Sequence, residues 1–202
     1  KVAEGKVTNE NFCKQQFRFD IAADSSTDKY EILFPFPTEF LSGNVFVSSE
    51  MLGDRFEIYI CPFKYSQQKS IGYVTADASK GDKKLYVNDT VIQNILPGFH
   101  LMHIDSSANE DFNVGRVGVI DASNNAIECV GELEKDMKAG DLLHYHIKLV
   151  PKRDVINLEQ NIGIAQFLME SQYIPAYVPI TVEYDNYNNK AKTFYLEAEY
   201  YY

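Results

Sequence analysis

Apolar and polar residues alternate over most of this chain, and a period of two puts one set of side chains on one face of a strand. In "QFRFDIA" (16–22) the shared face carries Phe17, Phe19 and Ile21. The pattern returns in "KYEILFPF" (29–36), "NVFVSSEM" (44–51), "RFEIYICPF" (55–63), "KLYV" (84–87) and "LMHI" (101–104). It continues in "GRVGVID" (115–121), "AIECVG" (126–131), "LLHYHIKLV" (142–150) and "ITVEY" (180–184). Pro35 and Pro37 lack an N–H, so they must leave the ladder or sit on an edge. "LGD" (52–54) reads as a hairpin turn between its two flanking runs. "DASNN" (121–125) combines Asp, Ser and two Asn, which bond their own backbone and tolerate left-handed φ. A hairpin is therefore predicted over 115–131.

Two segments depart from this period. "NDTVIQNIL" (88–96) opens on Asn and Asp caps and stops before Pro97 and Gly98, which predicts a short helix. "NLEQNIGIAQFLMES" (157–171) has partly helical spacing weakened by Gly163, and a strand–turn reading of it stays open. The expected fold is mainly β, a β-sandwich or small barrel with one or two short helices. Residues 1–70 read as an N-terminal β segment and 71–150 as a compact β module. Residues 151–202 read as a helix/strand return sharing the same core, with no Gly/Ser linker between the parts. A short echo links "VIQNILPGFHLMHI" (91–104) with "ELEKDMKAGDLLHYHI" (132–147); each has a Gly (Gly98, Gly140) before an apolar strand.

Composition strengthens the β reading. Of 202 residues 45% are hydrophobic, and the aromatics are 14 Tyr and 13 Phe with no Trp. Tyr and Phe suit half-buried pleated surfaces. The formal charge of -10 repels phosphate backbones, so no direct nucleic-acid partner is expected. Cys13, Cys61 and Cys129 are odd in number and widely spaced, which points to thiols in a reducing compartment rather than a disulfide framework. No run approaches the roughly 18 apolar residues of a membrane helix, so no membrane partner is expected.

Candidate chemistry is sparse. All four histidines lie in "GFHLMHID" (98–105) and "GDLLHYHIK" (140–148). A strand puts His144 and His146 on one face, which is metal-ligand spacing, and His100 and His103 on opposite faces. Three imidazoles at most could converge, with Cys129 or Asp105 as a fourth ligand. The plainer reading, adopted here, is two look-alike strands and no metal site. "DSSANEDFN" (105–113) spaces Asp105, Ser107, Asn109 and Asp111 like the start of a calcium loop. Glu110 stands where that loop needs Gly and Arg116 where it needs Glu, so a solvated acidic hairpin loop is expected. No nucleophile elbow, Walker loop, dinucleotide fingerprint or HExxH occurs. No catalytic residue and no cofactor are expected.

The last run, "KTFYLEAEYYY" (192–202), alternates cleanly, with Phe194, Leu196, Ala198, Tyr200 and Tyr202 on one face. It reads either as an edge strand packed on its own sheet or as an anchor that adds to a neighbouring subunit. "FPFPTEF" (34–40) holds three Phe between prolines, as a core-covering loop or a contact patch. Expected partner-contact residues are Phe34, Phe36, Phe40, Phe194, Leu196, Tyr200 and Tyr202.

The stretch 71–147 carries a resemblance. Its phrases are "GYVTADASKGDKKLYVNDTVIQNILPG", "GRVGVIDASNNAIECV" and the Gly-Asp turn in "KAGDLL". It resembles β-rich accessory structural proteins of tailed bacteriophage particles. The resemblance implies a non-enzymatic virion component: a capsid cement or decoration protein, or a head–tail or tail connector. Its partners would be the major capsid protein or other virion proteins, with homo-oligomers on the particle and assembly in the bacterial cytoplasm. A carbohydrate-binding host-recognition module is the alternative of another class, since Tyr can stack on sugars.

Overall fold

In a computed structural model, which describes residues 11–25, 28–48, 53–61, 70–105, 110–154 and 164–202, the alternating runs become strands. In chain order these are β1 (Phe12–Ile21), β2 (Asp28–Ile32), β3 (Thr38–Val47), β4 (Arg55–Ile60), β5 (Gly72–Tyr73), β6 (Lys84–Tyr86), β7 (His100–Asp105), β8 (Glu110–Asp121), β9 (Ala126–Cys129), β10 (Leu142–Asp154), β11 (Ile164–Ile174), β12 (Ile180–Asp185) and β13 (Lys192–Tyr201). One helix, α1 (Asp89–Asn94), lies between β6 and β7. The chain is mainly β with antiparallel, sandwich-type sheets, as the alternation predicts.

The chain forms two units. One holds Cys61–Ile147; the other is built from the flanking segments, up to Ile60 and from Lys148 to Tyr202. The flanking unit has one sheet ordered β1-β13-β3-β11 and another ordered β2-β12-β4. Aromatic side chains fill the layer between them. Phe194 of β13 meets Tyr184 of β12 with ring centroids 5.5 Å apart and Phe56 of β4 at 6.1 Å, both edge-on. Phe19 of β1 meets Tyr30 of β2 at 4.9 Å. Such tilted and edge arrangements suit ring quadrupoles and add to the burial term.

Three expectations are decided here. The last strand is no edge: β13 is hydrogen-bonded to β1 on one side and β3 on the other, with Leu196 opposite Phe17 and Val45. Among the described residues, β3 and β4 do not pair as the predicted hairpin around "LGD". β3 pairs with β13 and β11 while β4 pairs with β12, so the turn joins two sheets rather than two neighbours. Gly53, left-handed at φ 86°, serves that reversal, and residues 49–52 lie outside the described residues. A turn signal specifies a reversal of the chain, and long-range burial decides which strands then pair. Of the two readings left open for 157–171, the described part takes the strand: 164–171 belongs to β11, which pairs with β3. Residues 157–163 lie outside the described residues. Short apolar runs do not distinguish helix from strand by period, and the open ladder edge selects strand.

In the unit Cys61–Ile147 the strand order is β10-β7-β8-β9-β6, with β5 on β10. Its own core contains Leu85, Leu101, Ile127, Leu133, Met137 and Leu143, and α1 contributes Val91. Asn88 precedes the helix, but its Oδ1 accepts the N–H of Tyr73 at 2.9 Å instead of capping the helix. Only glycine fits opposite: a Cβ on Gly72 would lie 2.1 Å from that oxygen. The "DASNN" hairpin forms as predicted, joining β8 to β9. Asp121 accepts from the Ser123 hydroxyl at 2.7 Å and the Asn124 N–H at 3.2 Å, and Asn125 is left-handed.

The echo noted in the sequence has an unexpected basis. Its two strands, β7 and β10, are neighbours, with His146 opposite His100. The repeat that the backbone follows is instead "DASKGD" (77–82) and "DMKAGD" (136–141). Asp82 N–H bonds Ser79 C=O and Asp141 N–H bonds Lys138 C=O, both at 3.0 Å. Gly81 and Gly140 are left-handed at φ 95° and 98°. The bonds are reciprocal: Lys80 N–H reaches Asp136 and Ala139 N–H reaches Asp77, while Ala78 and Met137 exchange backbone bonds. The two segments thus form a local two-fold clasp.

Candidate functional site

Of the seven expected contact residues, five are core. Phe34, Phe40, Phe194, Leu196 and Tyr200 are at most 4% exposed. The reason lies in the register above: the strand meant to reach outward has neighbours on both sides. The structure does bring the two aromatic segments together. Phe34 meets Tyr200 at 4.7 Å and Phe36 meets Tyr202 at 4.6 Å. Pro35 and Pro37 lie between β2 and β3, outside the ladder, and so let this loop fold over β13. Of the seven, Tyr202 is exposed and Phe36 half-buried.

Among the described residues of the unit Cys61–Ile147, the exposed large apolar side chains are Tyr73, Tyr86, Leu96, Val119, Val130 and Leu142, and three of these align. Leu142 on β10 stands opposite Tyr73 on β5. Val74 bridges Val87, so Tyr73 and Tyr86 are diagonal neighbours on the face away from those buried valines. Leu142, Tyr73 and Tyr86 are 42%, 45% and 42% exposed and form an outward row across three strands. Sequence alternation marks Tyr86 as outward-facing, but nothing in it aligns the three.

The histidines separate as strand parity predicts. His103 shares the core-facing side with Leu101 and Leu143. Its Nδ1 lies 2.7 Å from the Lys135 ammonium nitrogen and its Nε2 3.7 Å from the Asp141 carboxylate. His100, His144 and His146 share the opposite side, since His146 faces His100 and His144 faces Met102. His144 and His146 are each 4% exposed, with ring centroids 5.1 Å apart and planes at 90°. Cys61, just after β4, places its Sγ 3.9 Å from His144 Nδ1. The expected fourth ligands do not join them. Cys129 packs in the core with Leu143 and Tyr145 on the other side of β10, and burial pushes its thiol up to about 11. Asp105 stands two residues from His103 on β7 and shares its side of the strand. In the acidic loop, residues 106–109 lie outside the described residues, and flanking Asp105 pairs with Glu110 across the β7–β8 hairpin.

The flanking unit holds a polar node that spacing did not reveal. Asp54 is fully buried and accepts from Tyr184 Oη at 2.7 Å, Tyr187 N–H at 3.0 Å and Asn188 Nδ2 at 2.8 Å. The Lys192 ammonium closes on the same carboxylate. Burial, then the Asp54 hydrogen bond, pushes the Tyr184 phenol far up. Every donor points at one carboxylate, so the node ties the loop before β4 to the start of β13. Asp54 lies more than a hundred residues in sequence from each of its donors.

Among the described residues no helix is long and apolar enough to cross a membrane. No protein-family model and no curated protein matches the chain. A solved structure titled "Structure of infectious bursal disease virus Gt strain" is similar at 8% identity and a TM-score of 0.16, over 100% of this chain and 43% of that one. The chain thus spans less than half the length of that viral protein.

Proposed function

We propose that this chain is a non-enzymatic structural protein of a tailed-bacteriophage particle, seated on the head as a cement or decoration protein that bridges neighbouring subunits. The observation that carries the reading is the outward row Leu142–Tyr73–Tyr86. It lies on the unit that contains the phage-like stretch 71–147. Rigid aromatic side chains on strands offer contact area at little entropic cost, as recognition surfaces require. The partners are then the major capsid protein or other virion proteins, and the place of work is the virion. The acidic chain suits a particle exterior better than a DNA-facing surface.

The test is attachment to purified particles by the Tyr73→Asp/Tyr86→Asp double variant. Both side chains point outward, so the variant should melt like the parent. Loss of sedimentation with particles is the expected result. Parent-like attachment by this folded variant would remove the row from the account.

A further inference from the structure

Two imidazoles and a thiol converge at Cys61, His144 and His146. Among the described residues they are the one group of three His, Cys, Asp or Glu side chains whose ligand atoms all lie within 4.8 Å of one another. We propose that they form a binding site for a thiophilic transition-metal cation, zinc(II) in the first place, held by the Cys61 thiolate and one nitrogen from each histidine. The inference is independent of the virion reading.

Geometry carries it. Zinc–sulfur and zinc–nitrogen bonds of tetrahedral sites imply sulfur–nitrogen separations of about 3.6 Å and nitrogen–nitrogen separations of about 3.4 Å. The Sγ of Cys61 is already 3.9 Å from His144 Nδ1, and the widest separation in the trio is 4.8 Å or less. Closing the rest needs only small side-chain rotations. The His-x-His spacing on β10 fixes both rings on one strand face, so two of the three ligands are preset by backbone geometry. Both rings are buried, which limits the entropy lost on ligation.

Donor chemistry selects the ion. One thiolate and two imidazoles suit zinc or copper and offer no carboxylate oxygen to calcium or magnesium. Met102, buried opposite His144 on the same face, adds a soft neighbour rather than a hard one. His100, opposite His146, stands on that face outside the close trio. A hydrolytic Cys–His pair is the competing use of a thiol beside an imidazole. Such a pair needs one ring oriented by a third group, whereas here a second ring also lies within 4.8 Å of the sulfur.

The experiment uses the full chain, stripped with EDTA and then loaded with zinc, cobalt or magnesium. Zinc at about 100 times its Kd should raise the melting temperature by about 5–10 °C, and magnesium should leave it unchanged. Cobalt should bind at one equivalent with a thiolate-to-metal charge-transfer band and tetrahedral d–d bands. Cys61→Ser should lose the charge-transfer band, His144→Ala and His146→Ala should each weaken binding at least tenfold, and His103→Ala should bind normally. Unfolding of these variants would not shield the proposal, because the parent comparison needs none of them. A parent whose melting ignores zinc and which gives no cobalt–thiolate band overturns the site. A Cys61→Ser protein that keeps the band overturns it equally.

Discussion

The carboxylate of Asp121 accepts from the Ser123 hydroxyl and from the backbone and side-chain N–H groups of Asn124. The "DASNN" turn places these donors within three residues of the carboxylate. The amide of Asn124 and then the hydroxyl of Ser123 hold its carboxyl at about 2, below an ordinary 3.8. A carboxylate depressed in the folded state contributes stability that is complete above the unfolded value and lost as pH falls through the folded one. That contribution should therefore fade between pH 3.8 and about 2. Carbon-detected NMR titration of Asp121 should give a midpoint near 2, and Asn124→Ala should move it upward. Asp54 was invisible, because its partners Tyr184, Tyr187, Asn188 and Lys192 come from the far end of the chain. Lys192→Met leaves a buried carboxylate without its cation and should cost about 3–5 kcal/mol in urea melts. Adding Asp54→Asn to that variant should recover part of the loss, since the orphaned charge is then removed.

At the scale of elements, local grammar succeeded where local bonds decide and failed where distant strands compete. The "DASNN" hairpin and α1 are made by neighbours in sequence, and both appear. The β3–β4 hairpin expectation fell because distant strands satisfied both edges, while 164–171, left open between helix and strand, became β11 by pairing with β3. The strand β13 had the right face but the wrong place: its alternation reveals Phe194 and Leu196 as a buried row, not that β1 and β3 flank it. Deleting 191–202 should therefore abolish the cooperative melting of the flanking unit instead of leaving a folded chain that merely lost an anchor. Circular dichroism melts decide between these. Gly72 makes a second point about close approach. Gly72→Ala puts a methyl against Asn88 Oδ1 and Val91 and should cost about 1–3 kcal/mol. The sequence shows a glycine there but not the side chain that needs its absence of a Cβ.

For the whole molecule, the alternating pattern and aromatic content were enough to reach a mainly β fold with antiparallel sheets. The division into Cys61–Ile147 and its two flanks was less legible, because the flanks meet through long-range pairings: β13 with β1 and β3, β11 with β3, and β12 with β2 and β4. The same holds for function. Aromatic segments that look like contact patches fill the core, and the outward row arises from three strands that no single window joins. Quantitative mass spectrometry of purified virions, counting this chain against the major capsid protein, tests the structural-protein reading most directly. The account predicts on the order of hundreds of copies, as a lattice-wide cement requires, whereas about six or twelve would mark a neck or tail ring of closed symmetry and displace the cement form. Complete absence of the chain from the particle would contradict the reading altogether.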